Sequence, residues 1–253
     1  MVPRIANPLH RQRLKLLYYI WGYAGLLGIK GLTLPERLRL FGEFLRVDWN
    51  VLHAHLPSEI VQVTRALAER RARAGEVMVE AGCWQGGSSA KFSLVCRLLG
   101  YELWIHDSFQ GVEVLSPQDQ AKEWDFGGQY ASGEERLRDH LDRFGALEVC
   151  RVRPGWFADT LALAAVPRPV RAVWIDCDLG KGTLEVLRGV VPSLSDDGWI
   201  FSQDFHIEPV RRVLRDPEIW REFGRGIPTI RVLGRYLASV RFSPPAPGRV
   251  RAV

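Results

Sequence analysis

Four cysteines are few for 253 residues, and Cys83, Cys96, Cys150 and Cys177 fall at no metal-site spacing. That excludes a disulfide scaffold and a cysteine-bound zinc. Free thiols at or beside predicted strands behave as small apolar residues, so a reducing, cytoplasmic setting is expected. No apolar run is long enough for a membrane span: the Leu16 to Ile29 stretch falls short of the ~20 residues that a bilayer requires. It also lacks the small-residue cleavage site of a signal peptide. Lysine is scarce, since 29 of the 34 Lys and Arg residues are arginine, and the arginines are scattered. The net charge of +5 therefore describes a solvated basic surface, and a nucleic-acid partner is not expected. There is no internal repeat.

What is present suits one globular domain with appendages, at 47% hydrophobic and 25% charged residues. The expected division is a helical extension over 1–56, a main domain over 57–242 and a disordered tail over 243–253, which has three prolines in its first five residues. In the extension, Tyr18, Tyr19, Trp21 and Tyr23 lie between basic flanks (Arg11, Arg13 and Lys15; Lys30). Such a segment packs on the main domain, packs on a second subunit of a homo-oligomer, or lies on a membrane surface through residues 16–29. Thr33-Leu-Pro-Glu36 has the form of a capping box that opens a helix carrying Leu38, Phe41, Phe44 and Leu45 on one face. A second helix is expected from about Ser58 to Arg73.

The segment Val77 to Ser89 organises the rest. A short apolar run ends in Glu80, Gly82, Gly86 and Gly87 follow, and a helix-compatible stretch runs from Ser88 to Leu99. This predicts a buried parallel strand, a glycine turn and a helix N-terminus that faces an anion. Glycine at 82 would let a ligand approach without a Cβ in the way. The spacing E-x-G-x-x-x-G differs from the nicotinamide fingerprint G-x-G-x-x-G. It is similar to the first motif of class I S-adenosylmethionine (SAM) methyltransferases, whose loop cradles the amino-acid end of SAM.

Strands are then expected over Leu103–Asp107, Leu147–Arg153, Val170–Asp176 and Trp199–Asp204, with helices over Ser132–Phe144, Thr183–Leu194 and Pro209–Phe223. The first of these helices would open on a capping box, Ser132-Gly-Glu-Glu135. Gln110 to Gly128 is irregular and reads as a lid or substrate loop. Thr229–Leu233 and Tyr236–Phe242 read as a hairpin joined by Gly234-Arg235, a pair suited to a type II′ turn. The fold class is therefore α/β: a doubly wound, mostly parallel seven-stranded, Rossmann-like sheet with a C-terminal antiparallel hairpin.

Open parallel sheets bind ligands beyond the carboxyl ends of their strands. Glu80, Asp107, Asp176, Asp178 and Asp204 all fall at such ends. Asp107 is placed to accept from a ribose diol. Asp176 and Asp178, two apart on an extended end, share one side, and with Asp204 they form an oxygen-rich pocket of the kind that Mg²⁺ favours. Trp84 and Trp156 either flank the adenine or sulfonium or are packing residues. His106, within a strand, reads as structural. His206 reads as a loop hydrogen-bonder, with a metal ligand or acid/base as the alternative.

Four blocks together resemble the macrocin O-methyltransferase family: Glu80-Ala-Gly-Cys-Trp-Gln-Gly-Gly87, Asp107-Ser-Phe-Gln-Gly111, Gly155-Trp-Phe-Ala-Asp-Thr-Leu161 and Asp176-Cys-Asp-Leu179. The similarity runs from about Leu56 to Leu214. It implies a SAM- and Mg²⁺-dependent enzyme that methylates sugar hydroxyls of antibiotics, with a glycosidic small molecule as acceptor. It further implies SAM contacts from Glu80, Gly82, Cys83, Trp84, Gly86, Ser88, Asp107, Ser108, Gly155 and Trp156. The metal would lie on Asp176, Gln203 and Asp204, with Asp178 as general base. The chain departs from the family twice. The tandem Asp-Asp after strand five is Gln203-Asp204, which removes one negative charge, and Gly180-Lys181 changes the wall beside the base. A metal-independent methyltransferase and a SAM-binding protein without turnover are the alternatives.

Overall fold

Val77–Ala81 (β1) is buried along its whole length because it is an interior strand of a sheet covered on both faces. The computed structural model describes residues 17–116, 125–161 and 169–242. The expectations for 1–16, for 117–124 of the irregular loop and for the tail 243–253 lie outside the described residues. Beside β1 run Glu102–Asp107 (β2), Cys150–Pro154 (β3), Val170–Ile175 (β4) and Leu194–Ser202 (β5), all parallel, then Ala238–Arg241 (β7) and Thr229–Val232 (β6), antiparallel. The order β3-β2-β1-β4-β5-β7-β6 is a doubly wound sheet closed at one edge by a hairpin, as expected.

Side chains alternate across the sheet. Met78, Ala172, Trp174 and Phe201 point to one core, and Val77, Val79, Val173, Ile175 and Ile200 point to the other. The first core is shared with the N-terminal extension: Tyr23, Leu26 and Ile29, and Leu40, Phe44 and Val47 of α1 (Leu34–Asn50), pack there with α2 (Pro57–Leu67) and α3 (Gly87–Leu99). Leu17, Tyr18 and Trp21, from the helical residues 17–23, remain exposed. No helix among the described residues is long and apolar enough to cross a membrane.

Local chemistry accounts for most boundaries, and several features depart from expectation. The Thr33 box forms: Thr33 N–H donates to Glu36 Oε2 at 2.7 Å, and Glu36 N–H donates back to Thr33 Oγ1. The Ser132 box does not. There α4 (Glu134–Phe144) is capped by Gly133 without a side-chain bond, in the register that buries Leu137 and Leu141. After α5 (Phe157–Thr160) and α6 (Gly180–Val190), the single helix expected over 209–223 is two, α7 (Glu208–Arg215) and α8 (Pro217–Glu222). Pro217 disfavours helical backbone at Asp216, which is extended and caps Glu218 N–H at 2.9 Å. The hairpin turn spans five residues, because Val232 pairs with Ala238 and Leu233 N–H donates to Leu237 O. Gly234 has no positive φ, so the type II′ expectation is overturned. Finally, β5 starts at Leu194, before the expected Trp199.

Candidate active site

The carboxyl ends of β1, β2, β4 and β5 open into one cavity of about 310 Å³, within the size range of small-molecule sites. Gly82, Cys83, Trp84, Ser88, Asp107, Ser108, Gly155, Trp156, Asp176, Asp178, Gln203 and Asp204 all line it. Glu80 and Gly86 do not. Glu80 lies beneath the glycine loop, where its Oε1 accepts the Ser88 hydroxyl at 2.5 Å, and burial raises its pKa to about 7. Gly86 sits at φ +84 with Leu137 against it, so a Cβ there would meet Leu137 Cδ1 at 2.5 Å.

Gly82 is needed for a reason other than ligand approach. At φ +87, a Cβ on it would lie 1.7 Å from the carbonyl oxygen of Asp176, so the glycine lets β1 turn against the end of β4. Asp107 shapes the same loop. Its Oδ2 accepts the Cys83 and Trp84 amides at 2.8 and 3.3 Å, and its Oδ1 accepts Phe109 N–H at 2.7 Å. Four non-glycine residues among those described have positive φ: Trp84, Phe109, Tyr130 and Asp178. Three line the cavity and the fourth follows Ser108, so the strained backbone is gathered at this site. Tyr130, two residues past the irregular stretch, meets Trp84 edge-on at 5.5 Å between ring centres.

The floor is anionic. Asp204 Oδ2 accepts the amides of Cys177 and Asp178, each at 2.9 Å, which ties the D-x-D turn to β5. Burial raises Asp178 to about 6 and, with Asp178 beside it, raises Asp204 to about 7. Asp176 is held well above the carboxylate range by burial and then by Asp204, Asp178, Glu59 and Glu80. The charges that raise Asp176 are thus all negative. Gln203, the amide in place of a carboxylate, has Glu59 of α2 as a side-chain neighbour, and burial raises Glu59 to about 7. The donors are carboxylate and amide oxygens with unbalanced negative charge, the set that a hard dication fits. His206 packs edge-on against Tyr236 and hydrogen-bonds the Gln203 backbone, the loop role expected of it.

A second ionisable cluster reaches the cavity from the N-terminal extension. His53 and His55, in the segment between α1 and α2, line it with rings stacked at 4.7 Å. Behind them Asp48 of α1 is ion-paired with the buried Lys91 of α3, whose ammonium also donates to His55 Nε2 at 2.7 Å. His53 Nε2 lies 3.3 Å from Asp48 Oδ1 and 3.2 Å from the Tyr19 hydroxyl. Ligand atoms of Asp48, His53 and His55 fall within 4.8 Å of one another, a metal-like grouping, yet Lys91 already supplies its cation. Sequence reasoning did not find this cluster. Its signals were the alternation His53-Ala-His55 before a helix and one lysine, Lys91, among the apolar and small residues of the first two turns of α3.

The family described as Macrocin-O-methyltransferase (TylF) matches residues 61–237, more than half of the chain. Among characterised relatives, 8-demethyl-8-(2,3-dimethoxy-alpha-L-rhamnosyl)-tetracenomycin-C 4'-O-methyltransferase of Streptomyces olivaceus is 32% identical over 148 residues, 55% of this chain and 56% of that protein. Demethyldecarbamoylnovobiocin O-methyltransferase of Streptomyces niveus is 28% identical over 141 residues, covering 52% and 53%. The matched chain spans about half the length of these relatives. The O-methyltransferase NovP superposes with a TM-score of 0.60 at 19% identity, over 91% of this chain and 99% of that one, which establishes the shared fold.

Proposed function

Since this chain belongs to the macrocin-O-methyltransferase family, we propose that it is a SAM-dependent O-methyltransferase that acts, with a divalent metal, on a hydroxyl of a sugar or glycosylated natural product. One observation carries the reading: the glycine loop and the carboxylates of Asp176, Asp178 and Asp204 share one cavity. The named relatives are O-methyltransferases of a rhamnosyl-tetracenomycin and of demethyldecarbamoylnovobiocin, and the rhamnosyl group of the first supports a glycosidic acceptor.

SAM supplies a methyl already activated by its sulfonium. The protein has to align the acceptor for in-line attack and take a proton from it. Asp178 is the base: its carboxylate lines the cavity, and a pKa of about 6 leaves it ionised yet basic at neutral pH. Its backbone is fixed by the N–H bond to Asp204 and by a left-handed φ of 61°. Asp176, Gln203 and Asp204 would hold the metal, which when bound lowers the pKa of a coordinated hydroxyl. Trp84, Tyr130 and Trp156 give the cavity apolar walls that exclude water from the methyl.

Calorimetry with S-adenosylhomocysteine, followed by a mass-spectrometric acceptor screen with Mg²⁺ or with EDTA, tests this. The expected result is cofactor binding and Mg²⁺-dependent methyl gain on hydroxylated glycosides. A folded protein that binds no S-adenosylhomocysteine would remove the methyltransferase reading, and turnover indifferent to EDTA would remove the metal.

A further inference from the structure

The cavity has two chemically opposite ends. One is the carboxylate floor. The other is the start of α3, where the cap residue Gly86 offers no side chain and the first turn contains no acid. The free N–H groups of that turn favour an anion. The segment that carries His53 and His55 lies directly on it: a Cβ on Gly87 would sit 2.6 Å from His53 Cβ and 3.1 Å from Leu52 O.

His55 is 6% exposed and lines the cavity. Its Nε2 accepts from the Lys91 ammonium at 2.7 Å, so the ring proton of the neutral imidazole is on Nδ1. Among the described residues Nδ1 has no hydrogen-bond partner. Lys91 is in turn fixed by Asp48, so the ring orientation is set by a buried chain of three side chains. We infer that His55, held as its Nδ1–H tautomer by the Asp48–Lys91 pair, donates to the carboxylate of the SAM amino-acid moiety at the start of α3. This rests on the cofactor reading above. The anionic floor would repel a carboxylate, and the uncapped helix start with a donor-only imidazole edge would receive it. Asp48 and Lys91 are positioning residues: Asp48 holds Lys91, Lys91 touches the ring, and the ring touches the ligand.

The test crosses ligand with protein. S-adenosylhomocysteine and its decarboxylated analogue, 5′-deoxy-5′-(3-aminopropylthio)adenosine, are titrated calorimetrically into wild type and His55→Phe, which keeps a ring but removes both nitrogens. A hydrogen bond to a charged group predicts that His55→Phe weakens S-adenosylhomocysteine by roughly tenfold to a hundredfold and leaves the analogue nearly unchanged. Because the readout is a ratio within each protein, partial misfolding does not imitate it. Lys91→Met should reduce the same ratio less, by releasing the ring. Equal weakening of both ligands, or of neither, would overturn the assignment while leaving the cofactor reading intact. Failure of wild type to bind either ligand would overturn both.

Discussion

At the ends of β4 and β5, Asp176, Asp178 and Asp204 line one cavity, and the charges that raise Asp176 are those of other acids. On the N-terminal side of the same cavity, Asp48 meets the buried Lys91, and two histidines complete the cluster. Both groupings hold acids in a low-dielectric setting, where unpaired charge is expensive. The second solves the problem internally with a lysine. The first leaves it unsolved, and its protons or a bound cation must balance it. Among the described residues, distance criteria alone single out Asp48, His53 and His55 as the metal-like set. Charge accounting reverses that choice, because the cluster that already owns a cation has no use for another. Proximity of ligand atoms is thus a weaker guide than the sign of the field they sit in.

The comparison is broken most directly at Asp178. If the unbalanced floor is catalytic, Asp178→Asn should lower kcat by roughly 10²- to 10⁴-fold while S-adenosylhomocysteine affinity and thermal unfolding stay near wild type. The pH profile carries the same information. The ionised carboxylate is the active form and burial places its pKa at about 6, so wild-type kcat should rise with pH through that value and then level off. A variant with near-normal turnover, or a flat wild-type profile from pH 5 to 7, would assign the base elsewhere.

The balanced cluster should respond in stability. Lys91→Met strands Asp48 as an unpaired buried carboxylate, and removing one partner of a buried pair costs about 3–5 kcal/mol. Asp48→Asn together with Lys91→Met should recover much of that loss, since no charge is then left unpaired. Urea unfolding of the three proteins measures it. A cost under ~1 kcal/mol for the single variant would show that Lys91 is not the cation that satisfies Asp48.

The two regions also differ in how far the sequence discloses them. The floor was legible because strand ends are found from short apolar runs, and acids at those ends must fall on one side of a parallel sheet. The wall was not. Asp48, His55 and Lys91 come from a helix, a linker and a second helix, and patterning that sorts polar from apolar positions would set all three at the surface. Gly82 was found for an incomplete reason: the close approach is to the Asp176 carbonyl. The hairpin strands were found but not their turn, because Gly-Arg suits a two-residue turn and the pairing of Val232 with Ala238 requires five. Long-range register decided that point, and local propensity could not supply it.

The smallest effect is the one that sharpens the comparison most. Gln203 stands where the family resemblance implies an acid, and its side chain has Glu59 as a neighbour. Restoring the carboxylate with Gln203→Asp should make the floor more negative and shift two observables in opposite directions. Without metal, another acid beside Glu59 and Asp204 adds repulsion, so the apo protein should unfold at lower temperature than wild type. With Mg²⁺ or Mn²⁺ the added ligand charge should tighten binding, on the order of tenfold, because affinity for a hard dication follows the ligand charge count. Metal titration followed by calorimetry, paired with thermal unfolding with and without EDTA, reads both. The same metal titration on wild type should show no binding lost when Asp48 is replaced by Asn, since that cluster keeps its own cation. If Gln203→Asp changes neither metal affinity nor apo stability, residue 203 is outside the charged floor, and Asp176 and Asp204 would have to hold any dication without it.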